Sequence, residues 1–299
     1  MREASRKNGM KRIVTSAEEN MKLRDFLRRV MGVSYTAMKS AKWEGRILVN
    51  GEPRTVDQPI HPGETVEFLD ASAAPAYHLK PCDRPLNIAY EDEFLWVIDK
   101  SAPLASQSSE RQPDDTLENM LYAHLNCPED FIYRPVNRLD KGTSGLMVVA
   151  KSAHVQYRLQ RMLHMPDFQR VYLAVTEGIP TPLTGTIDAP IAKEDAASIR
   201  RVISPAGKPS VTHYQVLEHT ATRSLIRLQL ETGRTHQIRV HLSSVHCPIC
   251  GDFLYGTELP ELPQRFALHS TSVTLRHPMT DEMLTVTSPL PEELRNLLA

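Results

Sequence analysis

No apolar run in this chain is longer than a strand. The longest stretches, such as 146–150 (LMVVA), hold five residues. A membrane-spanning helix needs ~18 or more, so none is expected, and the fold must be assembled from many short elements. Beyond residue 85 those elements alternate. Apolar strand patterns at 94–98, 145–150, 171–175, 226–230, 267–275 and 283–287 are interrupted by helical spacing. Leu117, Met120 and Leu121 follow one helical face, Val155, Leu159 and Met162 a second, and Ile238, His241, Leu242 and Val245 a third that is expected to begin just after Gly233. Residues 291–298 read as a closing helix, and Asp115-x-x-Glu118 as a capping box for the first. The pattern predicts an α+β fold on a mixed, mainly antiparallel sheet with flanking helices.

Within 299 residues, 41% apolar and 24% charged side chains are ordinary globular values and exclude a disordered chain. The length suits about two domains. The run DASAAPAYHLKPCDRP at 70–85 lacks periodicity and reads as a linker. We therefore expect a basic extension at 1–19, a small domain at 20–70, a linker at 71–85 and a large domain at 86–299. Four cysteines are too few for a disulfide scaffold. The basic opening residues are not followed by an apolar core, so no signal peptide is expected. A soluble, cytoplasmic protein is the expectation.

A net charge of −1 hides an asymmetry. Residues 1–55 hold 13 Lys and Arg against 6 Asp and Glu, a net of +7, and the rest of the chain carries −8. Leu23, Phe26, Leu27 and Val30 mark an amphipathic helix whose other face shows Arg24, Arg28 and Arg29. Ser34 is a plausible N-cap for a second helix bearing Lys39 and Lys42, and Asn50-Gly51 follows a short strand as a tight turn. A solvated basic face and a polyanion-binding face are both compatible with this charge. The segments KLRDFLRRV, MKSAKWEGRILVNGEP and IHPGETVEF resemble the S-four-like RNA-binding domain. That resemblance implies RNA contact through Arg24, Arg28, Arg29, Lys39 and Lys42.

Two loops of the large domain concentrate chemistry. In NRLDKGTSGL at 137–146, Asp140 stands between Arg138 and Lys141 in a loop that feeds a hydrophobic strand. Cations on both sides favour a charged carboxylate, and such loops commonly carry catalytic groups; a salt-bridged turn is the plainer alternative. In ETGRTHQIR at 231–239, Arg234 stands where a helix is expected to begin. A cation there opposes the helix dipole at a cost of a few tenths of a kcal/mol, which asks for a carboxylate or phosphate partner.

RLDKGTSG at 138–145, GRTHQIRVH at 233–241, the strand Arg170-Val171-Tyr172-Leu173-Ala174 and Gly251-Asp252-x-x-Tyr255-Gly256 together resemble the RluA/RluD family of pseudouridine synthases, over residues 86–288. The resemblance implies an isomerase that converts uridines of RNA, in particular ribosomal RNA, to pseudouridine by base flipping. It makes Asp140 the catalytic aspartate, Tyr172 a platform for the base that helps move the C5 proton, and Arg234 the partner of Asp140. Arg138 joins the RNA-binding set. No cofactor, metal, membrane or obligatory protein partner is implied, and a monomer is expected. The alternative from another class is a catalytically silent RNA-binding or ribosome-assembly factor.

The chain departs from the family pattern in three places. Asn137 stands where His is usual, Lys100-Ser101-Ala102-Pro103 replaces a K-P-x-G turn, and Cys247-Pro248-Ile249-Cys250 brings an unusual cysteine pair. One pair supplies two ligands where a structural zinc site needs four, so reduced, partly buried thiols are expected.

Overall fold

The computed structural model describes residues 9–43, 45–69, 79–109 and 112–299. The start of the basic extension and most of the expected linker (70–78) lie outside the described residues; 79–85 run as irregular chain.

The small unit is a four-stranded sheet with two helices. Its order is β1 (Gly9–Ile13), α1 (Leu23–Asp25), α2 (Tyr35–Trp43), β2 (Ile47–Val49), β3 (Glu52–Pro53) and β4 (Thr65–Leu69), and the strands line up as β1-β4-β2-β3. Because β1 pairs antiparallel with β4 along its whole length, the unit includes the chain from Gly9 onward. The residues read as an extension thus supply an edge strand. The apolar spacing that predicted the first helix continues past α1 as a wider turn over Phe26–Val30, closed by Met31 N–H donating to the Phe26 carbonyl. Ser34 does cap α2, its Oγ accepting the Ala37 amide at 3.1 Å. Leu23, Phe26, Leu27, Ile47, Ile60 and Val66 fill a core that shares no residue with the cores of the large unit.

The large unit contains, in chain order, β5 (Ile88–Glu91), β6 (Leu95–Lys100), α3 (Leu117–His124), β7 (Ser144–Ala150), α4 (Ala153–Met162), β8 (Phe168–Glu177), β9 (Thr184–Asp188), β10 (Ile191–Lys193), β11 (Arg201–Ile203), β12 (Val211–His219), β13 (Arg223–Leu230), α5 (Gln237–Ser244), β14 (Leu268–Arg276), β15 (Met283–Thr287) and α6 (Glu292–Arg295). Among the described residues, nine strands form one sheet in the order β5-β6-β7-β14-β8-β13-β12-β9, with β15 beside β14 and β10-β11 apart. Only the β7–β14 pairing in this sheet is parallel.

Strand β7 explains the layering. All seven of its residues are buried, and period-two alternation sends them to opposite faces. Met147 and Val149 enter one core with α3 and α5, while Leu146, Val148 and Ala150 enter another with Val155 and Leu159 of α4. Helices therefore cover both faces of the central strands, and the loop leading into β7 emerges at the middle of the sheet. Helix α3 is capped by Thr116 and Asn119, not by Asp115 and Glu118: the Thr116 Oγ accepts the Asn119 amide, while Asp115 turns outward to Arg84 at 2.8 Å.

Candidate active site

Residues 137–145 reach the sheet through contacts that leave little freedom. Gly145 has φ +103, and a Cβ there would lie 2.3 Å from the Ser270 carbonyl oxygen, so only glycine lets β7 pair closely with β14. The Ser106 hydroxyl donates to the Leu139 carbonyl at 2.6 Å and accepts the Leu139 amide at 3.3 Å. The Leu104 amide donates to the Lys141 carbonyl at 2.9 Å. Lys100, 1% exposed, donates its Nζ to the Leu104 carbonyl at 2.7 Å and the Ser101 carbonyl at 3.1 Å. Burial pushes that ammonium down to about 7, although Asp140 pulls it up. Asn137, in place of the usual His, accepts the Val148 amide on its Oδ1 at 2.9 Å and so ties the loop to β7. Asp140 is thus presented by a segment fixed on both sides.

A cleft of about 550 Å³ opens over this loop, within the ~300–1,000 Å³ usual for ligand sites. Asp140, Tyr172, Arg234 and Arg138 all line it. The pairing expected for Asp140 is different, however. Its Oδ2 accepts from Arg239 Nη1 at 3.1 Å, while Arg234 donates its Nε to the Pro209 carbonyl at 3.2 Å. The reason is where the helix begins. Helix α5 starts at Gln237, after His236 in the left-handed region at φ 59, so Arg234 lies in the preceding turn and Arg239 in the first turn, facing inward. The Arg234 amide is held by Gln237 Oε1 at 3.0 Å.

Arg239 is 3% exposed and closes on the fully buried Asp252 with two bonds, Nε to Oδ2 at 2.7 Å and Nη2 to Oδ1 at 2.8 Å. Burial works against its charge but is outweighed by Asp252 and Asp140, which raise its pKa. The Phe266 ring lies below, 4.1 Å from the guanidinium carbon. His236 Nε2 stands 3.8 Å from Asp140 Oδ2, and its Nδ1 shares a hydrogen bond with the Tyr255 hydroxyl at 2.9 Å. Burial lowers the imidazole's pKa against the pull of Asp140. Tyr172, on β8 opposite Ser270 of β14, is 5% exposed, and burial raises its phenol above the ordinary value of 10. Two residues before it, Arg170 is also 5% exposed and lines the cleft.

Sequence reasoning missed Arg239, His236 and Asp252 as members of this cluster. A signal was present: Arg239 is a lone cation among the apolar residues of α5, and Asp252 is an acid in a glycine-flanked turn next to a buried cysteine pair. The cysteines themselves are buried, and burial raises both thiols, Cys250 to about 11. No group of three or more potential metal ligands occurs among the described residues.

The other basic residues lie on the small unit. Arg24, Arg29, Lys39 and Lys42 are exposed. Arg24 forms an ion pair with Asp57 at 2.9 Å, and the Arg28 guanidinium lies 5.7 Å from the centre of the Tyr35 ring.

Comparison with known proteins agrees with the geometry. The profile of the family described as RNA pseudouridylate synthase matches residues 94–244. A Bacillus subtilis (strain 168) protein named uncharacterized RNA pseudouridine synthase YhcT is 34% identical over 292 residues, 97% of this chain and 96% of that one. Ribosomal large subunit pseudouridine synthase D of Vibrio cholerae is 38% identical over 276 residues, covering 87% and 85%. Among solved structures, human RNA pseudouridylate synthase domain containing 4 superposes with a TM-score of 0.56 at 27% identity, over 70% of this chain and 93% of that one.

Proposed function

The chain belongs to the RNA pseudouridylate synthase family, and from that premise we propose that it isomerises uridines of ribosomal RNA to pseudouridine with Asp140 as its catalytic carboxylate. The observation that supports this most is the Asp140 carboxylate, 3.1 Å from a buried guanidinium in the cleft that Tyr172 lines. The names of the relatives that act on the large ribosomal subunit favour ribosomal RNA.

The reaction detaches uracil from C1′ and rejoins it through C5. It is redox-neutral and asks for one carboxylate that adds to C1′ or takes a proton from the ribose. In this reading, Arg239 fixes the direction of that carboxylate. A uridine inside folded RNA must leave its stack to expose the glycosidic bond, and the Tyr172 ring offers the surface on which the base stacks. Because burial raises the Tyr172 phenol, its protonated hydroxyl suits relaying the C5 proton better than removing it as a phenolate. Arg138, exposed at the cleft, meets the RNA backbone.

The small unit acts in this reading as an S-four-like RNA-binding domain through Arg24, Arg28, Arg29, Lys39 and Lys42. The enzyme works as a cytoplasmic monomer without an obligatory protein partner. Among the described residues no helix is long and apolar enough to cross a membrane. The test is incubation of the protein with unmodified, transcribed large-subunit ribosomal RNA, followed by carbodiimide labelling and primer extension. New stops at one or a few uridines are expected. An RNA that binds but gains no pseudouridine would point instead to a silent binding factor.

A further inference from the structure

Arg170 carries a charge that the free protein does not neutralise. It is 5% exposed, and its Nε and Nη2 are buried without any hydrogen-bond partner. Among the described residues no carboxylate forms an ion pair with it, in contrast to Arg239, which has two. Its neighbours do not replace one. The adjacent Tyr172 phenol, raised by burial and lowered by the guanidinium, shares a side-chain hydrogen bond with Arg170 but is no anion. The Phe168 ring centre lies 6.0 Å from the guanidinium carbon, and His164 is lowered by burial and by Arg170 itself. Gly233 leaves the room the guanidinium occupies: a Cβ there would lie 3.3 Å from Arg170 Nη1.

A buried charge without a partner is costly, and folded proteins normally pair such groups. Here the unpaired guanidinium lines the cleft that Asp140 and Tyr172 share. Strand alternation puts residues 170 and 172 on the same face of β8. We propose that Arg170 is a phosphate-binding residue, and that the missing partner is a backbone phosphate flanking the uridine that reaches Tyr172. The planar fork of a guanidinium matches two phosphate oxygens at once. The cost stored in the free protein is relieved when RNA enters, so the site favours strands whose backbone delivers a phosphate there. This inference rests on the reading of the cleft as a uridine site.

Arg170→Met keeps the length of the side chain and removes the charge. Since it removes a buried unpaired cation, the melting temperature of the free protein should stay level or rise. RNA affinity, measured with transcribed large-subunit ribosomal RNA, should fall about tenfold or more for one lost charge-assisted contact. The slope of log affinity against log salt should flatten by about one. A short RNA with an uncharged methylphosphonate on either side of the modified uridine should bind wild type more weakly at one of the two positions, and bind Arg170→Met no more weakly. A lower melting temperature with unchanged affinity and salt slope would make Arg170 a structural residue and overturn the proposal. So would a methylphosphonate penalty of equal size in both proteins. If the wild-type protein forms no pseudouridine at all, the uridine reading fails, while the melting, affinity and salt measurements still decide whether Arg170 binds phosphate.

Discussion

Arg239 joins Asp140 to Asp252: one nitrogen reaches the cleft carboxylate at 3.1 Å, and the other two close on the buried carboxylate at 2.7 and 2.8 Å. The second pair holds the guanidinium plane, so the first contact has a fixed direction. A lysine cannot reproduce this, because its ammonium has no planar fork.

Arg239→Lys should therefore slow the chemical step. Losing a charge-assisted contact commonly costs ~1.5–3 kcal/mol, roughly one to two decades of rate at 1.36 kcal/mol per decade. Single-turnover rates at saturating enzyme measure this. Arg234→Lys, whose side chain meets a backbone carbonyl and not Asp140, should leave that rate within a fewfold of wild type.

Asp252→Ala should cost stability. It strands a guanidinium that is 3% exposed, and breaking a buried pair from one side typically costs ~3–5 kcal/mol. The exposed pair between Arg295 and Glu218 serves as a control, since surface pairs contribute about 0–1 kcal/mol. Urea unfolding of Asp252→Ala and Glu218→Ala should separate the two classes of contact; equal losses would contradict it.

His154 should make the protein acid-sensitive. The residue lies on α4 against the small unit, where a Cβ on Gly32 would come within 3.2 Å of its Cε1. Burial, with help from Arg158, lowers its pKa from 6.5 to about 4. The folded value is below the unfolded one, so the unfolded chain binds the extra proton between those limits. Stability should fall as pH drops through that window. His154→Gln should flatten this part of the profile in urea unfolding between pH 7 and 4.

Removing residues 1–78 should leave a folded large unit, because the two units keep separate cores. Affinity for RNA should drop, and the remaining binding should show a shallower salt dependence as phosphate contacts are lost. A truncated protein with unchanged affinity would remove the small unit from the RNA-binding surface.

Much of this was legible in the sequence, and the misses have physical reasons. Strand β7 stands out as an apolar run and β13 as an alternation of Ile226, Leu228 and Leu230 with polar residues. Strand β12 does not, because its inward residues include Thr212, a polar side chain buried only because Gln237 and His241 bond to it. Strand β1 was hidden by its charge: it shows polar residues to solvent and is held by pairing with β4. Asp140 and Tyr172, which both line the cleft, could be singled out because their motifs are local. The partner of Asp140 could not, since a turn of helix and the left-handed His236 decide whether Arg234 or Arg239 faces it. The burial of Arg170 likewise depends on the space left at Gly233, 63 residues further along the chain.

In the proposed reaction one carboxylate, that of Asp140, carries the chemistry. Asp140→Asn keeps the shape of the side chain while removing the charge that Arg239 orients. The direct measurement is single-turnover pseudouridine formation on transcribed ribosomal RNA, with saturation checked by a binding titration of the same variant. RNA affinity and melting temperature close to wild type, with no detectable product, are expected. Substantial turnover by a well-folded Asp140→Asn protein would contradict that role for Asp140.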